Sequence, residues 1–347
     1  MDLALIWFVA IAVLWTGYFF LEGFDFGVGV LLPFTGRRNS IERRVAINSI
    51  GPVWSANEVW LLTAVGATFA AFPPWYASML SGFYLPVLAI LIALIARGVA
   101  FKYRSSHDSD RWRDVWDRAI FLGSVVPSFL WGVLFANLVQ GVAMDADHIV
   151  TAGPLDLFTP YALLGGLTTL ALFTLHGAVF LSLKTDGPVR TRSRTAALGG
   201  AVVALPASAA FLWWTQAAHG QDWTVVTAMT AVAALVLGAL STWRGREGWA
   251  FTAMAVAVLT LTVTVFGALY PNVLPSTTDP AYSLTIENAA SADYTLTVMT
   301  WLTLVALPVI LGYQAWSYWV FRKRVTGDQI TGATVDGGAE PEPEKVA

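Results

Sequence analysis

Three carboxylic acids lie within stretches of this sequence that are otherwise almost entirely apolar. Glu22 and Asp25 belong to the run LEGFDFGVG, and Glu58 belongs to the run WSANEVW. Ionisable groups inside lipid-spanning helices are costly, so they normally face a protein interior or water and mark a functional polar site. These residue types therefore favour proton or ion handling, or binding of a polar ligand head, over the chemistry of a soluble enzyme.

The spacing of the acids predicts that they approach one another. Glu22 and Asp25 are three residues apart, which places both on one face of a helix. The first two apolar segments form a predicted hairpin that turns near Ile41, so Asp25 and Glu58 fall at about equal depth. Carboxylates this close in a low-dielectric site do not both ionise at low cost. The sequence leaves two interpretations open: a proton-accepting cluster, or a hydrogen-bonded network that fixes helix register.

The composition is that of a membrane protein. The 347 residues are 56% hydrophobic and 12% charged, which is more apolar surface than a soluble domain of this length hides. The absence of cysteine excludes disulfides, thiolate metal ligands and iron–sulfur clusters. A net charge of −3 gives no indication of nucleic-acid binding. Because no basic region precedes the first apolar segment, we expect a retained anchor and not a cleaved signal peptide.

Hydropathy predicts an all-α, polytopic membrane protein with nine transmembrane helices. A spanning helix needs about 20 mostly apolar residues. Spans one to four and five to eight run in the same directions, which suggests two four-helix units plus a peripheral ninth helix. The predicted segments are 3–34, 45–72, 79–101, 118–140, 160–183, 196–216, 223–242, 249–270 and 295–320.

The basic residues predict the orientation of these spans. All 20 Lys and Arg residues lie at or near the odd-numbered connections or the C-terminal end, and the even-numbered connections contain Asp and Glu but no Lys or Arg. This positive-inside pattern predicts an outside N-terminus and a cytoplasmic C-terminus. We expect a transmembrane domain over 1–325 and a cytoplasmic acidic tail over 326–347, whose composition favours disorder. The polar outer connection 271–294 suits an ordered cap or a partner contact.

Four residues are assigned to contacts between helices. Gly23 and Gly27 are spaced so that another backbone can approach closely. Arg97 and Asp117 fall near the cytoplasmic ends of adjacent antiparallel spans. We expect them to form a buried ion pair, which makes two charges at that depth tolerable; a lipid-headgroup contact is the alternative.

One histidine and two tryptophans complete the polar groups at depth. His176 is the only histidine within a predicted span, and membrane histidines can ligate haem iron. A single histidine cannot supply both ligands of a bis-histidine haem, so we expect a hydrogen-bonded histidine and assign no metal ligand to this chain. Trp54 and Trp60 flank Asn57 and Glu58, where a buried indole N–H needs a partner, and we assign both to packing.

Seven short motifs follow one another along the chain: EGFDFGVG, RRVAINSI, WSANEVWL, SGFY, RWRDVWD, LPSTT and VMTW. Together they resemble subunit II of the cytochrome bd-type quinol oxidases of bacterial plasma membranes. The resemblance extends from the first predicted helix to the ninth and leaves out only the acidic tail.

The resemblance implies a subunit without a complete active site of its own. Such oxidases oxidise quinol and reduce oxygen to water, and their haems b and d are bound by the larger, homologous subunit I. Subunit II is expected to support that partner without binding haem, and in some members to provide a proton route or hold a quinone in a lateral groove. The expected surroundings are subunit I, small accessory subunits, lipid and quinone in the bacterial plasma (inner) membrane. A stand-alone proton-coupled secondary transporter is the alternative.

The resemblance also assigns individual residues. The buried aspartate of the family matches Asp25, its tryptophan and asparagine match Trp54 and Asn57, and its span-four aspartate matches Asp117. Family members often have an aspartate where this chain has Ser55. A hydroxyl relays a hydrogen bond but carries no charge, so we expect Asp25 or Glu58 to substitute in a proton path that would comprise Glu22, Asp25, Ser55, Asn57 and Glu58.

Overall fold

The computed structural model describes residues 2–36 and 40–336, which form a bundle of long helices capped by short loops. The predominance of helix follows from the apolar composition, because a chain in lipid must satisfy its backbone hydrogen bonds internally. In chain order the described elements are α1 Leu3–Thr35, α2 Ile41–Ile50, α3 Trp54–Ala71, α4 Pro73–Gly82, α5 Tyr84–Tyr103, α6 Asp110–Gln140, α7 Pro160–Lys184, α8 Gly187–His219, α9 Thr224–Trp243, α10 Glu247–Leu269, β1 Asn272–Leu274, a 3-10 turn Pro280–Tyr282, β2 Leu284–Thr285, α11 Asp293–Val320 and α12 Gly327–Asp336.

Within the described part of the chain, eight helices are long and apolar enough to cross a membrane. They are α1 and α5 to α11, and they make this a multi-pass membrane protein. Helix α3 is not among the eight. It has 18 residues, and the polar side chains of Asn57 and Glu58 lie in its first two turns.

Two of the predicted spans are each divided into two helices. The segment 45–72 is broken between α2 and α3 by a turn at 51–53, in which the Val53 N–H donates to the Ile50 carbonyl at 2.9 Å. Pro52 has no N–H to continue a helical ladder, which explains the break. The segment 79–101 is similarly divided between α4 and α5 at Phe83.

Helix α1 lies at the centre of the bundle and packs against α3, α6, α7 and α10. Its crossing with α7 is very close. A Cβ atom built on Gly27 would lie 2.7 Å from the Gly177 nitrogen, and one built on Gly23 would lie 2.8 Å from the ring of Phe173. Both glycines of the sequence motif therefore lie where the two helices cross, and neither position has room for a side chain.

The end of the bundle that carries the acidic connections, here called the acidic end, is closed by an ordered cap. Residues 271–294 include the antiparallel strands β1 and β2, the only strands in the described residues. Val142 donates to the Pro275 carbonyl at 3.0 Å, and Ser291 donates to the Ala71 carbonyl at 2.8 Å. The first bond joins the end of α6 to the cap, and the second joins the end of α3 to the segment before α11, so α3 reaches the acidic end.

The C-terminal segment departs from the predicted disorder over part of its length. Residues 327–336 form α12, which packs against α2 at the opposite, basic end of the bundle. Ile330 is 5% exposed beside Val45 and Val189. A prediction from composition does not detect a single buried apolar residue such as Ile330. Residues 337–347, with the Glu-Pro run, lie outside the described residues, as do Arg37 and Arg38 of the first basic connection.

The α1–α7 crossing gives a stability prediction. Gly27→Ala should lower the thermal unfolding midpoint of the purified complex, because the new methyl group overlaps the Phe173 carbonyl and the Gly177 backbone. Overpacking of this kind costs about 1–3 kcal/mol. Gly199→Ala on α8 is the matched control, since nothing lies within 4 Å of its added Cβ atom. Equal midpoints for the two variants would contradict the close crossing.

Candidate functional site: a polar cluster within the helix bundle

A fully buried ion pair joins α1 to α5. The Arg97 guanidinium donates through Nη1 to Glu22 Oε1, and both side chains are 0% exposed. The guanidinium also lies over the rings of Phe26 and Phe101, at 4.9 and 5.2 Å from their centroids. Pairing and cation–π contact offset part of the desolvation cost of the two charges. The pair thus allows one positive and one negative group to reside within the bundle.

Asp25 lies one helical turn from this pair and is bound by an amide. Asn57 Nδ2 donates to Asp25 Oδ2 at 2.7 Å and to the Leu21 carbonyl at 3.3 Å. Asn57 Oδ1 accepts from the Tyr318 hydroxyl at 2.8 Å and from the Gln314 amide at 3.3 Å. Asn57 therefore connects α1, α3 and α11 at one point.

Four buried atoms of this site have no hydrogen-bond partner within residues 2–36 and 40–336. They are Glu22 Oε2, Asp25 Oδ1, Arg97 Nε and Arg97 Nη2. An unsatisfied buried polar atom costs about 1–3 kcal/mol, and buried waters typically bond to such groups. The concentration of these atoms at one place suits a site that binds internal water.

Glu58 lies at the edge of the site and Ser55 lies outside it. The Glu58 side chain is half-buried, whereas Ser55 faces outward from α3. Glu58 is attracted to Arg97 and repels Glu22 and Asp25. Three carboxylates and one guanidinium sum to −2 when all are ionised, so the site is electrically neutral only when two of the acids carry protons. We call Glu22, Asp25, Asn57, Glu58 and Arg97 the polar cluster.

Aromatic side chains enclose the polar cluster. The Trp54 ring packs on Phe101 with ring centroids 5.0 Å apart. Trp60 fills the space beside Gly17 of α1, where an added Cβ atom would overlap the indole ring. Trp54 thus packs on a ring that covers Arg97, and Trp60 packs α3 against α1.

The expected ion pair between Arg97 and Asp117 is wrong. Asp117 instead binds Arg43 of α2 at 2.9 Å and Arg104, which follows α5, at 2.5 Å. Arg97 lies seven residues before Arg104, which is about 10 Å along the helix axis. Arg97 is therefore level with Glu22, and the carboxylate of Asp117 meets the arginines at the basic end.

The surroundings of His176 do not fit a haem. Its Nε2 atom lies 3.1 Å from the Phe20 carbonyl oxygen. The ring stacks on Phe251 with centroids 5.2 Å apart, and Phe24 lies against it at 5.6 Å. The other ring nitrogen, Nδ1, has no hydrogen-bond partner in the described residues, but axial ligation also needs a space the size of a porphyrin beside the nitrogen. Here aromatic rings and a backbone hydrogen bond surround the imidazole.

A lateral groove opens between α1 and α10 towards the acidic end. It has a volume of about 320 Å³, and its lining includes Phe8, Val9, Thr16, Trp223 and Tyr270. Apolar walls with a tryptophan and a tyrosine suit an apolar ligand that enters from the membrane.

Nearly the whole chain matches one protein family. Residues 3–321 match the family described as cytochrome bd terminal oxidase subunit II. The chain belongs to this family. It is therefore a subunit of an oxidoreductase complex, a terminal oxidase, as the sequence motifs indicated. This membership does not support the alternative of a stand-alone transporter.

Individual relatives agree with the family. Cytochrome bd ubiquinol oxidase subunit 2 of Bacillus subtilis (strain 168) is 46% identical over 327 residues, which cover 92% of this chain and 96% of the relative. Cytochrome bd-I ubiquinol oxidase subunit 2 of Escherichia coli (strain K12) is 36% identical, covering 94% and 96%. A chain of the solved bd oxidase from Geobacillus thermodenitrificans shares the fold, with a TM-score of 0.76, 17% identity, and coverage of 92% of this chain and 99% of that one.

The buried ion pair gives a second stability prediction. Arg97→Gln should destabilise the purified oxidase by about 3–5 kcal/mol, because Glu22 then becomes an unpaired buried charge. Adding Glu22→Gln should restore a large part of this loss, as measured by thermal unfolding of all variants.

The control is a pair in the same subunit whose arginine is exposed to solvent. Arg118 is 69% exposed and binds Asp114 at 3.2 Å, so Arg118→Gln should cost no more than about 1 kcal/mol. Similar losses for Arg97→Gln and Arg118→Gln, or no recovery in the double variant, would contradict the assignment of a buried ionised pair.

Proposed function

We propose that this chain is the haem-free subunit II of a quinol-oxidising terminal oxidase and that its polar cluster relays protons towards the haem-bearing subunit I. The observation that carries the proposal is the burial of two carboxylates, Glu22 and Asp25, with unsatisfied oxygen atoms beside Arg97. Groups of this kind are costly inside a membrane. Protons on two of the acids would neutralise the site, and bound waters would satisfy its free polar atoms. Together they would form a proton relay.

The arrangement of α3 supports a route from the basic end. Ser55 is in the first turn of α3, Glu58 lies one turn further in, and Asn57 bonds to Asp25. A proton arriving at Ser55 would pass through its hydroxyl to Glu58 and then to Asp25. Family members often have an aspartate at the position of Ser55. In this chain Glu58 would hold the transferred proton instead, because a hydroxyl group cannot hold it.

The exposure of the outer faces of α3 and α11 supports the proposal that subunit I docks there. Only 6% of the spanning window of α11 is buried, and Val59 and Leu62 of α3 are 51% and 71% exposed. Ser55 and the edge of Glu58 lie on the same helix, and lipid tails offer no hydrogen bonds to such groups. A protein partner would cover this surface. Its haems b and d would supply electron transfer and oxygen reduction.

The lining and volume of the lateral groove support the proposal that it binds a quinone. The aromatic side chains of Phe8, Trp223 and Tyr270 lie along an opening of about 320 Å³, which suits a ring with an isoprenoid tail. This role would be separate from the polar cluster, because the groove lies towards the acidic end.

We further propose the topology that the charge pattern predicts. Helix α3 would be a ninth span, since hydrogen bonds place its end at the acidic cap. The basic end would face the cytoplasm of a bacterial plasma membrane, with the N-terminus outside. Helices α1, α3, α5 and α6 would form one four-helix unit, α7 to α10 the other, and α11 the peripheral helix. Residues 1–325 would form the oxidase domain and 326–347 the cytoplasmic tail.

The proton route predicts a specific loss of activity. Asp25→Asn in the assembled oxidase should slow proton uptake and the coupled oxygen consumption by about tenfold or more, because the amide cannot accept a proton. Uptake is measured in liposomes by a pH dye, with haem content as a check on assembly. Asp147→Asn, an exposed acid at the acidic end, is the control. Full uptake in Asp25→Asn at normal haem content would refute the route.

The proposal that subunit I binds the haems and this chain does not gives a second prediction. Affinity purification of this chain should bring a haem-bearing partner with absorption in the red region, and His176→Gln should leave the haem content unchanged because Nε2 is bonded to a carbonyl. Iron porphyrin bound at full occupancy to the isolated chain would contradict the proposal.

A further inference from the structure

The hydrogen-bond partners of Asn57 fix the orientation of its side-chain amide. Its side chain is 0% exposed, and its nitrogen and oxygen atoms each have two partners. The Leu21 carbonyl can only accept a hydrogen bond, so the atom facing it must be Nδ2. The opposite atom is then Oδ1, and the donors that meet it are Tyr318 and Gln314.

This orientation has a consequence for Asp25. Because Asn57 presents an N–H group, Asp25 Oδ2 is an acceptor in the 2.7 Å bond. The other oxygen, Oδ1, has no partner in the described residues. The two oxygens of one carboxyl group are therefore inequivalent, and Oδ1, which has no hydrogen bond to compete with, is the more accessible site for a proton.

Helix α11 supplies the two donors that hold the amide in place, and it is fixed mainly at its ends. At the acidic end, Trp7 Nε1 donates to Thr300 Oγ1 at 3.1 Å. Beyond the basic end, the Val325 N–H donates to the Lys184 carbonyl at 2.9 Å. Between these anchors α11 packs mainly against α1 and α3. These two contacts therefore fix the position of α11 along its axis, and with it the position of Tyr318 relative to Asn57.

We propose that Tyr318 is a positioning residue which, through Asn57, restricts proton exchange at Asp25 to the Oδ1 oxygen. Tyr318 is the principal donor at 2.8 Å, and Gln314, at 3.3 Å, assists it. Without the hydroxyl group, Asn57 loses its shorter bond on the α11 side and its amide can tilt away from Asp25. The inference rests on the proposed proton route where it concerns rate, and on contacts alone where it concerns the state of the Asp25 carboxyl group.

The test is Tyr318→Phe in the assembled oxidase, which removes one hydroxyl group and keeps the ring. Infrared difference spectroscopy first identifies the carboxyl band of Asp25 as the band that Asp25→Asn abolishes. In Tyr318→Phe this band should shift, and proton uptake should fall about 2- to 10-fold, the equivalent of one hydrogen bond. The control is Tyr84→Phe, the same change on α5, away from the proposed docking surface, at a residue that is 61% exposed.

Two further outcomes keep the test decisive. Gln314→Leu removes the longer bond and should shift the same band in the same direction by a smaller amount, which tests the inference if Tyr318→Phe assembles poorly. An Asp25 band that is identical in wild type, Tyr318→Phe and Tyr84→Phe would overturn it. If Asp25→Asn leaves proton uptake unchanged while Tyr318→Phe still shifts the band, the proton route is wrong and the positioning role stands.

Discussion

An ionised group can remain in a membrane protein only if the protein itself balances its charge, and the pair formed by Arg97 and Glu22 does this with neither side chain exposed. Much of the surrounding architecture follows from this requirement. Helix α1 lies at the centre, where α3 and α7 pack against it, and glycine at its crossing with α7 allows α1 to be buried on that side. The rings of Phe26 and Phe101 cover the guanidinium. A low dielectric then strengthens each polar contact of Asp25 and Asn57.

This arrangement suits the proposed role of a subunit that contributes to an oxidase without redox ligands of its own. The buried polar groups are acids, an amide and an arginine, which can hold and transfer protons and waters. His176, in the middle of α7, is enclosed by aromatic rings and bonded to a carbonyl. The polar cluster opens towards the outer face of α3, where Glu58 is half-buried and Ser55 is exposed. The proposed proton relay and the proposed surface for a partner would therefore lie on the same helix.

The sequence predicted those parts of the site that depend on local spacing. The three-residue interval between Glu22 and Asp25, and the symmetry of the hairpin, placed the acids near one another as the structure does. Contacts that depend on how far one helix slides past another were not predictable. The partner of Arg97 was wrong because Arg97 lies about two turns deeper along α5 than Arg104, and it is Arg104 that is level with Asp117. Tyr318 lies 261 residues from Asn57, and no local pattern marks it.

The central claim is that the polar cluster binds water and exchanges protons, and a high-resolution map of the assembled oxidase tests it most directly. The account predicts ordered waters within hydrogen-bond distance of Glu22 Oε2, Asp25 Oδ1 and Arg97 Nη2, continued past Glu58 towards the basic end. A dry cluster, in which the partner subunit supplies direct protein contacts to all of these atoms, would contradict it. The buried acids would then serve only to fix the packing of the helices.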